Sequence, residues 1–124
     1  MQKRYRLRKG FQFNYIYRRG KSLAGKEMVL YYVRNRSNKL LVGVSVSKKI
    51  GKSTVRNRIK RLFKESARSL LPEMRSDYNY VLLARSGAVD AEYADIRKTL
   101  EYLLKKAGCL KTSEVPADTD NKTL

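Results

Sequence analysis

The amino-acid sequence predicts an α+β fold in which helices pack on a mixed β-sheet. Segments with the 3.6-residue periodicity of helices alternate along the chain with segments that have the composition of strands. In addition, strand 40–46, helix 54–70 and strand 78–85 follow one another, which is the order of a parallel strand–helix–strand unit. With 124 residues, 42% of them hydrophobic, the chain can bury one core, and we expect a single domain over residues 1–110.

A short helix is the first predicted element. Residues 11–19 place Phe13, Ile16 and Tyr17 at positions i, i+3 and i+4, which form one stripe of a helix. The pattern ends near Gly20, a residue type that commonly terminates helices. The stripe is strongly aromatic, so this helix should have a well-defined side that meets the sheet.

Two strands follow the first helix. Residues 27–34 alternate apolar side chains on both faces, and their β-branched and aromatic content favours a strand. The turn residues 35–39 lead to segment 40–46, which has four apolar side chains on one face and the small residues Gly43 and Ser45 on the other. We therefore expect a hairpin. Its small-sided face is typical of a place where another backbone, a helix or a ligand approaches closely.

The longest helical pattern covers residues 54–70 and has one continuous apolar arc. Ser53 or Thr54 could serve as its N-cap, and Pro72 should end it. The next segment, 78–85, is a nearly continuous apolar run of strand length. Such a strand is buried on both faces when it lies in the centre of a sheet.

The last predicted element is a helix over residues 91–107 with a buried apolar stripe. Asp90 is the expected N-cap, and Gly108 is the expected end of the helix. The remaining residues, 111–124, are polar and show no periodicity, so we expect a disordered C-terminal tail.

The electric charge of the chain is strongly one-sided along its length. The formal net charge is +18 at pH 7. Residues 1–70 have a net charge of +19, whereas residues 71–124 have a net charge of −1. A concentration of positive charge of this size repels itself and is typical of proteins that bind a polyanion. Nucleic acid is the leading candidate.

Several classes of protein and site are excluded by composition. No apolar run is long enough for a membrane helix, and the basic first ten residues lead into no signal-peptide pattern, so we expect a cytoplasmic protein. Cys109 is the only cysteine and the chain has no histidine, which excludes an internal disulfide and an ordinary zinc site. The sequence assigns no residue as a metal ligand.

Side chains suited to catalysis are also scarce. Asp90, Glu92 and Asp95 form the only tight acidic cluster, and at a helix start such charges are explained by the helix dipole. The Gly51-Lys52-Ser53 sequence is an incomplete phosphate-binding loop, since position 46 is Val46 rather than glycine. Without histidine to activate it, Cys109 is expected to be an inert thiol. We therefore assign no catalytic residue.

The polar sides of helix 54–70 are the strongest candidate for a binding surface. Six of their residues are basic and Glu65 is the only acid, whereas a merely solvated helix usually mixes both signs. Guanidinium groups suit paired phosphate oxygens, and the Asn57 amide can both donate and accept hydrogen bonds. This helix is therefore expected to bind the backbone of RNA.

The helix and the residues before it carry a specific resemblance. The segment GVSVSKKIGKSTVRNRIKRLFKE at 43–65 closely resembles the signature of the bacterial ribonuclease P protein subunit family, with Arg56-Asn57-Arg58 as its "RNR" core. Residues 6–33 and 80–85 resemble the N-terminal helix, first strand and a later strand of the same family. Together the similar segments lie within about residues 3–107.

The resemblance implies a fold and a function. The implied fold is a two-layer α/β sandwich like ribosomal S5 domain 2, with a left-handed βαβ crossover where pattern alone predicts a right-handed one. The implied function is that of an accessory RNA-binding subunit of an endonuclease, a hydrolase that removes the 5′ leader of precursor tRNA, with the catalytic centre in a large partner RNA. A divalent cation, Mg²⁺, would be used by the holoenzyme. No organic cofactor and no obligate protein partner are expected.

The resemblance also implies two binding sites. The cleft between the N-terminal helix and the sheet would hold the precursor-tRNA leader on Phe13, Tyr17, Tyr31 and Ser45. The helix 54–70 and its lead-in would face the catalytic RNA, through Lys48, Lys49, Lys52, Arg56, Asn57, Arg58, Lys60, Arg61, Lys64 and Arg68.

Alternatives remain at this stage for both the protein and the cleft. A small ribosomal protein would share the charge and size, and a DNA-binding module would share the basic helix. Neither accounts for the 43–65 signature together with aromatic residues near the N-terminus. The three cleft aromatics could equally be core residues that bury against one another.

Overall fold

Three α-helices and four strands form the part of the chain that the computed structural model describes, residues 3–7 and 10–111. In chain order they are α1 (Gly10–Arg19), β1 (Lys21–Ala24), β2 (Met28–Arg34), β3 (Val42–Ser45), α2 (Ser53–Leu70), β4 (Tyr78–Ala84) and α3 (Tyr93–Lys106). The sheet order is β1-β2-β4-β3, with β3 and β4 parallel and the other pairs antiparallel. The α+β class and the mixed sheet are confirmed. The tail predicted for 111–124 lies outside the described residues from position 112 onward.

The main core lies between one face of the sheet and helices α2 and α3. Its fully buried members include Leu30 from β2, Phe63 from α2 and Leu100 from α3. Each such side chain stabilises the fold by about 1.5–3 kcal/mol. Tyr80 is also fully buried, and its hydroxyl donates a 2.8 Å hydrogen bond to the Arg75 carbonyl. The apolar arc predicted for 54–70, the apolar stripe predicted for 91–107 and the apolar face predicted for 40–46 all lie in this core and are confirmed.

The order of the strands differs from the predicted hairpin. Strand β4 lies between β2 and β3, so the prediction that 27–34 pairs with 40–46 was wrong. The side-chain amide of Asn35 donates hydrogen bonds to the Ser76 carbonyl at 3.1 Å and to Asn79 Oδ1 at 3.0 Å. These bonds attach the segment after β2 to the start of β4. The hairpin that does form joins β2 to the short strand β1. The parallel β3–α2–β4 unit is confirmed. The left-handedness of its crossover connection stays a prediction.

The helix ends also differ in detail from the sequence prediction. The N-cap of α2 is Lys52, without a side-chain hydrogen bond, so neither Ser53 nor Thr54 fills that role. Helix α3 begins after Glu92 instead of Asp90, because Glu92 and Asp95 form a reciprocal capping box. Gly108 has a φ of 76° just beyond the helix end, as predicted for a glycine terminator.

Helix α1 lies on the opposite face of the sheet and adds a partial further layer. Its buried residue Ile16 packs with Leu7 and with Val81 of β4 in a second, smaller core. The segment before α1 is fixed to the edge of β3, where the Leu7 amide donates to the Val42 carbonyl at 3.0 Å. This attachment places the aromatic side of α1 over the small-sided face of β3.

Candidate RNA-binding surfaces

The outer side of α2 is a continuous basic surface. Asn57, Arg61 and Arg68 are exposed, and Lys60 and Lys64 between them are partly exposed. A shallow concavity of about 460 Å³ on this side is lined by Asn57, Lys60, Arg61, Lys64, Glu65 and Arg68. Four of these six residues are cations and one is an acid. Guanidinium and ammonium groups spaced along one helix face can each contact a different phosphate.

Two arginines of the predicted surface are directed at the protein itself. Arg58 donates to the backbone carbonyl of Ala91 at 3.0 Å and to that of Val89 at 3.5 Å. The Nε of Arg56 donates to the Gly51 carbonyl at 3.1 Å. Arg58 therefore joins α2 to the segment before α3, and Arg56 closes the loop in front of α2. Sequence periodicity could not separate these two arginines from the solvent-facing ones.

The lead-in to α2 extends the basic surface. Lys48 and Lys49 are exposed in a short 3₁₀ turn, Lys48–Ile50. Ser47 Oγ accepts a 3.1 Å hydrogen bond from the Lys49 amide and thereby caps this turn. Lys52 is exposed at the N-cap of α2, where the helix dipole adds positive potential. The three lysines thus continue the surface toward the N-terminal end of the helix.

Three aromatic rings of α1 and β2 form a second surface. The rings of Tyr17 and Tyr31 meet edge to face, with centroids 4.9 Å apart and an interplanar angle of 74°. The Phe13 ring lies 6.5 Å from Tyr17. All three are partly buried against the small core of Leu7 and Ile16 and keep some exposed area. Core packing and a role as a stacking platform are therefore compatible here.

The small-sided face of β3 is covered by one of these rings. A Cβ atom on Gly43 would lie 2.6 Å from Cε1 and Cζ of Phe13, so only glycine permits this approach. The predicted close neighbour of this face is thus a side chain of α1. Ser45, at the end of β3, is partly exposed on the same face. The four predicted cleft residues lie on α1, β2 and β3, between the helix and the sheet.

Comparison with known proteins identifies the family of the chain. A family model for Ribonuclease P matches residues 1–108. The chain belongs to the ribonuclease P protein family. It is 50% identical over 107 residues to a ribonuclease P protein component of Clostridium botulinum, covering 86% of this chain and 96% of that one. The component of Clostridium kluyveri is 46% identical over 109 residues, with 86% and 97% coverage.

Solved ribonuclease P proteins share the fold. A Staphylococcus aureus RNase P protein mutant with defective mRNA degradation activity has a TM-score of 0.79 and 33% identity, covering 86% of this chain and 90% of that chain. The RNase P protein from Thermotoga maritima has a TM-score of 0.74 and 28% identity, with 82% and 96% coverage. Membership of the ribonuclease P family makes the chain a partner of ribonuclease P RNA and places it in tRNA processing as part of an RNA-cleaving ribonucleoprotein.

In this ribonuclease P family member, the Cys109 thiol is buried and the Asp77 carboxylate is paired with an arginine. Burial raises the pKa of the Cys109 thiol to about 11, so the thiol stays protonated near neutral pH. Hydrogen bonding from the Arg75 guanidinium lowers the pKa of Asp77. Within residues 3–7 and 10–111, no group of three His, Cys, Asp or Glu side chains could hold a metal ion, and no helix could cross a membrane.

Proposed function

We propose that the chain binds the catalytic RNA of ribonuclease P through α2 and its lead-in. The observation that carries the proposal is the one-sided charge of α2, whose solvent-facing residues Lys60, Arg61, Lys64 and Arg68 are accompanied by a single acid, Glu65. RNA phosphates would neutralise this charge and release counterions. The lysines before α2 extend the same contact area.

The cleft between α1 and the sheet supports a second part of the proposal. We assign Phe13, Tyr17, Tyr31 and Ser45 to the single-stranded 5′ leader of precursor tRNA. Aromatic rings that keep one exposed side can stack unpaired bases, and each stacked base contributes about 1–3 kcal/mol. The two surfaces together would hold catalytic RNA and substrate on one small protein.

The chemistry of cleavage is assigned to the RNA partner. The divalent cation, proposed as Mg²⁺, is used by the RNA–protein holoenzyme. We assign no residue of the chain as a ligand of this cation, because the described acids of the chain do not cluster. The proposal needs neither an organic cofactor nor an obligate protein partner. We place this ribonucleoprotein in the cytoplasm, where precursor tRNA is made in bacteria.

The basic surface can be tested by removing two of its cations. Replacing Arg61 and Lys64 together by alanine should weaken binding to ribonuclease P RNA, because both are solvent-facing on α2. The slope of log K against log salt should fall in magnitude by roughly 0.7–0.9 per lost phosphate contact. Stability should change by no more than about 0.5 kcal/mol, as for other surface positions. Filter binding at several salt concentrations measures the slope.

Two controls separate RNA contacts from other effects. Lys98→Ala with Lys105→Ala removes the same charge from exposed positions of α3 and should leave the salt slope unchanged. Arg58→Ala should instead destabilise the fold by about 1–3 kcal/mol, because it leaves the Val89 and Ala91 carbonyls without their donor. An unchanged salt slope for the α2 variant would show that this face is merely solvated.

The leader cleft makes a distinct prediction for Tyr31. Tyr31→Ala should lower the affinity of the reconstituted holoenzyme for precursor tRNA with a leader by about 1–3 kcal/mol, the value of one stacked base. Affinity for mature tRNA should stay nearly the same. The fold should lose less than about 1.5 kcal/mol, below the ~3–5 kcal/mol of a fully buried aromatic, because Tyr31 is only partly buried.

The matched control for this variant is Tyr15→Ala. Tyr15 is 50% exposed on α1 and is outside the ring cluster of the cleft. Its replacement should leave both RNA affinities near their original values. Equal losses for the two RNAs in Tyr31→Ala, or a large drop in its melting temperature, would assign Tyr31 to the core.

A further inference from the structure

A second basic groove lies at the C-terminal end of α2 and is not used by the surfaces above, except for Arg68. Its volume is about 910 Å³. The rim carries Arg4, Lys39, Arg68 and Lys111, all of them exposed, and none of the described residues that line the groove is acidic. Four cations around one concave surface favour an anionic occupant.

The floor of this groove is apolar. It includes the buried side chains of Leu40 and Met74, and the exposed ring of Pro72 stands beside them. A small inorganic anion would gain nothing from such a floor. An occupant that combines negative charge with apolar, flat groups fits both the rim and the floor, and an unpaired nucleotide strand has this combination.

An aromatic ring and a guanidinium are stacked at one end of the groove. The guanidinium carbon of Arg4 lies 4.9 Å from the centre of the Tyr5 ring. Tyr5 is partly buried against the main core, whereas Arg4 is exposed. Bases of single-stranded RNA stack on aromatic rings and on guanidinium planes, so this pair can receive an unpaired base.

The loop that carries Lys39 is held by hydrogen bonds. The backbone amide of Asn38 donates a hydrogen bond to Asn35 Oδ1 at 2.9 Å, and the Ser76 hydroxyl donates one to Asn38 Oδ1 at 2.7 Å. Asn38 adopts a left-handed φ of 59°, which asparagine tolerates better than most residues. The backbone that carries Lys39 is thus held in place by contacts within the protein, which reduces the ordering cost of binding.

The groove is continuous with the basic surface of α2. Asn57, Arg61, Lys64 and Arg68 follow one another at helical spacing over about 17 Å. Arg68 lines both the concavity on α2 and the groove. We propose that the groove binds a single-stranded RNA segment that continues from the RNA held on α2. The inference rests on the proposed function, since it extends the same RNA contact.

Charge reversal and ring removal in the full-length chain test this inference. Lys39→Glu should weaken binding of ribonuclease P RNA about tenfold and reduce the magnitude of the salt slope by about 0.7. Tyr5→Leu, which keeps an apolar side chain but removes the ring, should weaken it about fivefold or more. The matched controls are Lys98→Glu and Tyr102→Leu, at exposed positions of α3. They should change neither affinity, and thermal melting checks folding in all four variants.

Two binding measurements identify the source of the strand. Loss of affinity for ribonuclease P RNA by the protein alone would assign the strand to that RNA. A loss seen only when the holoenzyme binds precursor tRNA would overturn the inference, because the RNA proposed to lie on α2 is ribonuclease P RNA. Unchanged affinities in both assays would also overturn the inference, whatever the oligomeric state of the variants. The Arg61 and Lys64 variant separates this failure from that of the proposed function, because its loss of affinity should persist.

Discussion

Precursor tRNA is expected to remain uncleaved when the purified protein alone is added, and correct 5′ cleavage should require ribonuclease P RNA. General acid–base catalysis by side chains contributes about 10²–10⁴-fold and needs a titratable group free to transfer a proton. The chain has no histidine. The effect predicted here is all or none, and gel electrophoresis of end-labelled precursor tRNA measures it directly.

Five of the eight acids in the described part of the chain are engaged in structural contacts. Asp77 forms an ion pair with Arg75 at 2.8 Å, and Glu101 forms one with Arg97 at 3.2 Å. Glu27 is buried and accepts a hydrogen bond from the Thr99 hydroxyl. The Glu92 and Asp95 carboxylates cap α3, as described above. These contacts hold the carboxylates in fixed roles, which supports the assignment of catalysis to the RNA.

The control for this experiment is treatment of the protein with micrococcal nuclease before assay. Nuclease removes contaminating RNA, and the nuclease is then inactivated by chelating its calcium. Cleavage of precursor tRNA by protein that has been freed of RNA would contradict the prediction. Addition of intact ribonuclease P RNA to the same preparation should restore cleavage, which excludes damage to the protein as the cause of inactivity.

Helix α2 shows which features sequence can predict. Its apolar arc and its excess of cations both follow from residue order, because a helix fixes the angle between successive side chains. The long apolar run of β4 predicted a central strand, and Val81 and Leu82 are indeed buried on opposite faces. These elements were predictable because one local pattern determines each of them.

Apart from the helix N-caps, the differences between prediction and structure come from long-range pairing. The β2–β3 hairpin was predicted from neighbouring strands and a turn-like segment, but β4 lies between these two strands, and its residue Asn79 accepts a hydrogen bond from the Asn35 side chain. Strand β1 has only four residues, of which Leu23 alone is partly buried, so no alternation indicated it. The role of Arg58 depends on carbonyl groups more than 30 positions away. Such contacts are set by the tertiary fold and leave no local pattern.

Gly43 offers the sharpest test of the aromatic cleft. In Gly43→Ala the new methyl group would lie 2.6 Å from the Phe13 ring and 3.0 Å from Cδ1 of Leu7, so the ring must move away from β3. We expect a loss of stability of about 1–3 kcal/mol, as for other overpacked sites. Displacement of Phe13 should also weaken binding of the leader by about 1–3 kcal/mol, the value of a stacked base. Gly10→Ala is the control, since a Cβ there meets nothing within 4 Å.

A double-mutant cycle with Phe13→Ala tests the proposed cause. If the alanine at position 43 acts by displacing the ring, it should have little further effect on leader affinity once the ring is absent. The coupling energy between Gly43→Ala and Phe13→Ala should then be about 1–3 kcal/mol, as for residues in direct contact. Fluorescence titration of the holoenzyme with precursor and mature tRNA gives the four affinities. Additive losses would show that Gly43 acts on the leader site by a route other than the position of Phe13.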